Sequence, residues 1–295
     1  MNSKRVGIIG GSGFYGLDIF RFKEKIRIST PFGEPSDALV LLSIGNREVI
    51  FLPRHGHGHF FLPSEINYRA NIWAMKKLGV EWIISISAVG SLKKEIQPSD
   101  IVLVDQFFDR TSQRKNTFFG EGIVAHVAFH NPVCNELRRL LYEAGQEEGV
   151  GSRLHWGGTY LNIEGPCFST KAESLLHKSF GFDVVGMTNL PEARLAREAE
   201  ICYATMALVT DYDAWVDEDD VNRVSTERVL ENFRKNIEVV KRILGRAIPL
   251  IPEERTCACQ EALKNAILTK PHAIPRTTFE KLELIIGKYI SLETE

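Results

Sequence analysis

The sequence predicts an α/β fold whose largely parallel sheet is covered by helices on both faces. Two observations carry that expectation. Short apolar runs of strand character alternate with segments whose apolar residues recur at helical spacing. No repeat, low-complexity tract or Gly/Ser linker divides the 295 residues, so a single domain is expected over residues 1–295.

Strands are expected at "KRVGIIG" (residues 4–10), "ALVLLSIG" (38–45), "REVIFLPR" (47–54), "WIISISAVG" (82–90), "DIVLVDQFFD" (100–109), "TYLNIEG" (159–165), "DVVGM" (183–187) and "CYATMALVT" (202–210). The segment "SEINYRANIWAMKKLG" (64–79) reads as a helix capped by Ser64 and stopped by Gly79, with Ile66, Ala70, Ile72, Trp73 and Leu78 as a loose apolar face. "CNELRRLLYEAGQEEG", "TKAESLLHKSFG" and "PEARLAREAE" read likewise, whereas "LDIFRFKEK" makes a poor amphipathic helix. After Val221 the pattern is helical, with Val229, Leu230, Phe233, Ile237, Val240 and Leu244 in step. A turn-rich break near residue 250 begins a helical extension, whose last helix is expected over about residues 278–290.

Composition is that of an ordinary globular protein, 44% hydrophobic and 25% charged with net charge −2. Lys and Arg are scattered, which argues against a nucleic-acid or polybasic membrane surface. The longest apolar runs fall short of the ~20 residues a bilayer needs. The chain enters a strand at once, with no segment resembling a signal peptide, so a cytoplasmic location is expected.

Ligands of open α/β sheets bind beyond the carboxyl ends of the strands, and the conspicuous polar groups lie there. "GGSGFYG" formally contains GxGxxG, but a dinucleotide site would also need a clear helix next and an acid closing the second strand. A glycine turn whose N–H groups and Ser12 hydroxyl cradle phosphate fits better, and a tight structural turn is the plainer alternative. "LPRHGHGHFFLP" offers Arg54, His55, His57 and His59. Arg54 beside His55 suits anion capture. A metal site would want a carboxylate beside these histidines, and an exposed loop is the third reading. "SISAVGS" supplies Ser85, Ser87, Gly90 and Ser91, small residues that admit a ligand to the backbone. In "NIEGPCFST", Phe168 and Ser169 can stack on and hydrogen-bond a flat heterocycle, or belong to a loop over the core. "VGMTNLPEA" ends a strand in Met187, an ordinary core residue or a surface for a sugar, and Thr188. "VTDYDAW" places Asp211 and Asp213 after an apolar run. Residues two apart in an extended chain share a face, so both acids look into one volume.

Taken in order, "GIIGGSGFYG", "TPFGEPSDAL", "LPRHGHGH", "NYRANIWAM", "SAVGSLKKEIQPSDIVLVDQFFDRT", "IEGPCFST", "MTNLPEARLAREAEICYA" and "TDYDAW" resemble the 5'-methylthioadenosine phosphorylase family of the trimeric purine nucleoside phosphorylase superfamily. The resemblance runs from about residue 4 to 244 and implies a twisted mixed sheet flanked by helices. It also implies reversible phosphorolysis of S-methyl-5'-thioadenosine to adenine and 5-methylthioribose-1-phosphate, with inorganic phosphate as co-substrate and neither metal nor organic cofactor. A homotrimer is implied, with the pairing of trimers left open. By the same resemblance, phosphate falls to Ser12, Arg54, His55, Ser87 and Thr188, with Ala88 between phosphate and nucleoside. Phe168, Ser169, Met187, Asp211 and Asp213 contact the nucleoside, and His59 lies beside the sugar. His126 is lent to a neighbouring subunit's 5' pocket, and Thr226 approximately matches a residue lining the methylthio group. A 6-oxopurine or broad-specificity nucleoside phosphorylase is the alternative on the same scaffold.

That chemistry gives the aspartates a task. Cleaving an N-glycosidic bond leaves negative charge on the purine, which needs a proton or strong hydrogen bond at N7. Adenine's 6-amino group donates to an ionised carboxylate. Two neighbouring carboxyls resist ionising together. Asp213 is expected as the N7 acid and Asp211 as its support. Of the five cysteines, Cys257 and Cys259 form "CAC", similar to a Cys-x-Cys pair in thermophilic members. A disulfide between them is expected under oxidising conditions, with Cys134–Cys202 the second candidate pair. With only His272 near the pair in sequence, a zinc site is not expected there.

Overall fold

The computed structural model describes residues 5–11, 18–217 and 224–291. Its strands are β1 (Arg5–Gly10), β2 (Arg21–Ile26), β3 (Leu39–Ile44), β4 (Arg47–Pro53), β5 (Val80–Ser91), β6 (Ile101–Leu103), β7 (Gln106–Asp109), β8 (Leu154–Trp156), β9 (Thr159–Asn162), β10 (Val184–Gly186) and β11 (Cys202–Tyr212). They form one mixed sheet in the order β2-β3-β4-β1-β5-β10-β9-β7, with β11 on the other side of β5 and β6 and β8 beyond it. The helices are α1 (Tyr68–Lys77), α2 (Asn135–Glu147), α3 (Lys171–Ser179), α4 (Asn189–Glu198), α5 (Thr226–Leu250) and α6 (Arg276–Ile286).

Side-chain alternation sorts the core. Trp82, Ile84 and Ile86 of β5 and Ala204, Met206 and Leu208 of β11 pack with α2 and α5 on one face. Ile83 and Tyr203 turn to the opposite face, toward α1, α4 and α6. Strands buried on both faces need no polar alternation, which is why their sequences read as unbroken apolar runs.

Five elements differ from the sequence reading. "LDIFRFKEK" supplies the edge strand β2, antiparallel to β3 and almost wholly exposed. Its charges suit an edge that must not recruit another strand, and they erase the apolar signal. "DIVLVDQFFD" is two strands, since β6 pairs with β11 and β8 while β7 pairs with β9. The three residues of β8 are too few to carry a periodic pattern of their own. Helix α1 is capped by Asn67, whose side chain accepts from the Ala70 N–H, and not by Ser64. The last helix starts at Arg276 and stops at Ile286, and the extension after α5 packs Leu263, Ala266, Ile274, Leu282 and Ile286 on the second core face.

Strand β5 organises the site. It runs parallel to β1 only through Ser85, and then meets antiparallel β10 at Gly90 and Ser91. Between those two partners the sheet opens, and the carboxyl ends of β1, β4 and β10 converge on the gap.

Candidate active site

A cavity of about 530 Å³ occupies this gap. Arg54, His55, His59, Ser87, Ala88, Phe168, Ser169, Met187, Thr188, Asp211, Asp213 and Thr226 all line it, brought together from across the chain. Ser12 lies outside the described residues. His126 is exposed and does not line this chain's own cavity.

The acids stand where β11 ends. The register along β5 slips between Val209 and Asp211, so that Thr210 is an inserted residue and Asp211 pairs with Gly90. Helix α5 holds the slip in place: Asn232 donates to the Thr210 carbonyl at 2.7 Å and Asn236 to the Val209 carbonyl at 3.1 Å. Past the strand, the Asp213 N–H and the Trp215 indole both donate to the Ser91 carbonyl, at 3.0 and 2.8 Å. Gly90 makes room, because a Cβ there would stand 3.0 Å from Asp211 Oδ1 and 3.4 Å from Asp213 Cβ.

Both carboxyls are almost fully buried. Asp211 Oδ2 accepts from the Thr210 hydroxyl at 2.6 Å, while Asp211 Oδ1 and Asp213 Oδ2 have no partner among the described residues. Burial raises the Asp211 pKa to about 7, with the Thr210 hydrogen bond opposing and the Asp213 charge adding. The Ser169 hydroxyl, on the same cavity, is also buried and unpartnered among the described residues. Orphaned polar atoms of this kind are costly unless something else satisfies them.

The opposite end is suited to an anion. Thr188 caps the N-terminus of α4 without spending its side chain on the cap, which leaves hydroxyl and helix dipole facing the cavity. Ser87 Oγ lies 3.1 Å from the Tyr160 hydroxyl, and that hydroxyl sits where a Cβ on Gly186 would overlap it. Arg54 is 1% exposed. Its guanidinium is forked onto Glu192, with Nη2 also donating to Ser85 Oγ at 2.7 Å and Nη1 to the Ile86 carbonyl at 3.0 Å. Burial works against that charge, but Glu192 outweighs it and the guanidinium stays protonated. His55 Nδ1 donates to the Phe61 carbonyl at 2.8 Å, a partner that fixes the neutral tautomer and leaves Nε2 an acceptor. Burial holds this imidazole down to about 4, Arg54 adding to the effect. His59, at a backbone φ of 59°, stacks on it with ring centroids 4.5 Å apart.

The remaining wall is apolar, built from Leu62, Pro63, Val224, Val229, Leu230 and Phe233. The cavity therefore grades from hydroxyls and a guanidinium through a carboxylate pair to an aliphatic end.

A sequence profile described as the phosphorylase superfamily matches residues 5–249. The chain belongs to this phosphorylase superfamily. An S-methyl-5'-thioadenosine phosphorylase of Koribacter versatilis is 53% identical over 284 residues, 96% of either chain. A methylthioadenosine phosphorylase from an antarctic soil metagenomic library superposes with TM-score 0.89 at 43% identity, covering 97% of this chain and 99% of that one. The Schistosoma mansoni methylthioadenosine phosphorylase in complex with adenine gives TM-score 0.83 at 41% identity, over 88% of this chain and 96% of that one.

Within the phosphorylase frame, three features escaped the sequence. Glu192, 1% exposed, is the counter-charge of Arg54, yet in "PEARLAREAE" it reads as one more solvated helix acid. Tyr160 reads as a core aromatic, although its hydroxyl touches Ser87. Val229, Leu230 and Phe233 belong to the helical stripe of α5, but the first turns of that helix also line the cavity, with Phe233 packed against the sheet core as well. A signal existed only for the last, in that Leu230 lies beside Val229 and so off a single narrow stripe.

Proposed function

We propose that this phosphorylase catalyses the reversible phosphorolysis of S-methyl-5'-thioadenosine, yielding adenine and 5-methylthioribose-1-phosphate. The observation that carries the reading is the carboxylate pair: two buried acids with one unpartnered oxygen each among the described residues, one of them with its pKa raised to about 7. A purine presents one acceptor, N7, and for adenine one donor, the 6-amino group, to such a pair.

Phosphate held among Ser12, Arg54, His55, Ser87, Ala88 and Thr188 lies beneath the anomeric carbon. Its oxygen forms the new bond to C1' as the bond from C1' to N9 breaks, and that electron pair passes into the purine. Asp211 delivers its proton to N7, and Asp213 accepts from the 6-amino group. This exchanges the roles expected from the sequence, because burial lets the Asp211 carboxyl keep its proton up to about 7. The phosphate charge favours the oxocarbenium-like sugar, and fixed hydroxyls around it need no reorganisation. His55, an acceptor at Nε2, suits a phosphate that still carries a proton. Phe168 and Ser169 receive the base, Met187 and His59 the ribose, and Thr226 with Leu230 and Phe233 the methylthio group. The scheme calls for no metal ion or organic cofactor in the cavity.

Adenine release is expected to be strictly phosphate-dependent, and 5-methylthioribose-1-phosphate should appear with it. Incubation with S-methyl-5'-thioadenosine, with and without phosphate, tests this. Release at a comparable rate without phosphate would falsify the phosphorylase chemistry. The acid limb gives a second test. Asp211 is protonated below about 7, so kcat/KM for phosphorolysis should fall as pH rises through that value. Phosphate ionises in the same range, so the profile of Asp211→Asn is the control: the limb common to both belongs to phosphate.

The assembly we propose is a homotrimer in a cytoplasmic setting. Leu62, Phe168 and Leu230 are exposed at the cavity mouth, apolar surface that a neighbouring subunit would cover. His126 of the partner subunit would close the 5' end. Unpaired cysteines accord with a reducing compartment, and no helix among the described residues is long and apolar enough to cross a membrane. His126→Ala should raise the KM for S-methyl-5'-thioadenosine several-fold with kcat little changed. Sedimentation showing a fully active monomer would remove the basis for the trimer.

A further inference from the structure

Four of the five cysteines, distant in sequence, meet at the far end of β11 from the cavity. Cys134 caps α2, Cys202 opens β11, and Cys257 and Cys259 flank Ala258 at the start of a 3-10 turn. Their sulfurs all lie within 4.8 Å of one another. Cys257 Sγ is 3.3 Å from that of Cys202 and 3.8 Å from that of Cys134. Cys134, Cys202 and Cys259 are buried in the apolar core, and Cys257 is partly exposed.

We propose that these four thiolates form a mononuclear structural zinc site. Sulfurs at ~2.3 Å from a tetrahedral zinc stand about 3.8 Å apart, the scale of the separations seen here. The donor set fits as well, since four cysteine sulfurs select zinc or iron over harder cations. A cluster of several irons would need its sulfurs spread more widely. Binding replaces four S–H bonds by four Zn–S bonds and releases the protons, so no oxidant is required. Partly exposed Cys257 gives the ion its way in. The ligand loop is held independently: Arg255 Nε lies 3.2 Å from Glu81 Oε2, Gln260 donates to the Arg255 carbonyl at 2.8 Å, and Lys288 to the Gln260 carbonyl at 2.6 Å. The ion would tie the C-terminal extension to α2 and to the first residue of β11. Cys202 precedes Asp211 by nine residues of strand, roughly 30 Å at the usual rise, so its role is in stability and not in turnover. The disulfide Cys257–Cys259 expected from the sequence is the competing use of the same sulfurs.

The test uses untagged Cys167→Ser protein, which leaves only the four thiols in question, purified with reductant and without chelator. Elemental analysis should find about one zinc per chain after dialysis. Cobalt exchanged into the site should give the intense sulfur-to-metal and visible bands of a tetrahedral thiolate centre. Stripping the ion should lower the thermal midpoint while kcat at a permissive temperature is unchanged. Cys257→Ser and Cys259→Ser should lose the metal. Stoichiometry and the cobalt spectrum are read with all four ligands in place, so the test stands even where those two variants fail to fold. Protein with no bound metal, whether its four thiols are free or oxidised to two disulfides, overturns the site. Iron in place of zinc overturns the zinc assignment.

Discussion

Changing Asp211 to asparagine is expected to lower kcat on S-methyl-5'-thioadenosine by about 10²-fold or more, the usual scale for losing a general acid. The substitution keeps the shape of the carboxyl and its place beside Thr210, but an amide has no proton to release at N7. Its amide can, however, donate to a 6-oxo group at any pH, which the carboxyl does only while it holds its proton. The ratio of inosine to methylthioadenosine turnover should therefore rise even as both rates are measured against a weaker enzyme. Asp213→Asn replaces the carboxylate that accepts from the 6-amino group with a neutral amide that can also donate to a 6-oxo group, and should shift the same ratio in the same direction with a smaller loss of kcat. Steady-state kinetics on both nucleosides decides the matter. Equal losses on 6-amino and 6-oxo substrates would mean that the pair shapes the pocket without reading the base. A larger loss for Asp213→Asn would return the acid's role to Asp213.

Arg54→Ala should damage the fold as well as phosphate binding. The Arg54–Glu192 pair is almost completely buried, and removing one partner strands the other charge, an effect of about 3–5 kcal/mol. Denaturant unfolding should show a loss of that size. The double change Arg54→Met with Glu192→Leu removes both charges and should recover most of the stability, while phosphorolysis stays lost because the phosphate end has no guanidinium. Phosphate KM for any active Arg54→Lys protein should rise well above its nucleoside KM, since the fork is gone while the charge remains. Unchanged stability of Arg54→Ala would show that Glu192 does not depend on it. An active double variant would show that Arg54 serves the fold alone.

Much of this site was legible because its chemistry sits at strand ends. "VTDYDAW", "LPRHGHGH", "SISAVGS" and "VGMTNLPEA" each pair an apolar run with polar groups that the run does not need. An α/β sheet gathers such ends on one side. What escaped were groups whose role depends on a partner far away in sequence. Glu192 is 138 residues from Arg54, and nothing in its own helix distinguishes it from a surface acid. Strand β2 escaped for the reverse reason, because an exposed edge carries no core pattern.

By itself, then, the sequence determined the α/β class, the helices with strong apolar periodicity, and the residue types at the strand ends. These follow from local propensity and from periods of two and of about 3.6 residues, which a single segment expresses without help. Only the tertiary structure decided the rest. It opened the sheet between β1 and β10, inserted Thr210 so that Asp211 faces Gly90, and buried Asp211 until its carboxyl held its proton to about 7. It also drew Cys134, Cys202, Cys257 and Cys259 to within 4.8 Å of one another, where the sequence offered two separate candidate pairs, Cys257–Cys259 and Cys134–Cys202. Desolvation, ion pairing and metal geometry depend on what surrounds a group in space, and that is set by which segments the core brings together.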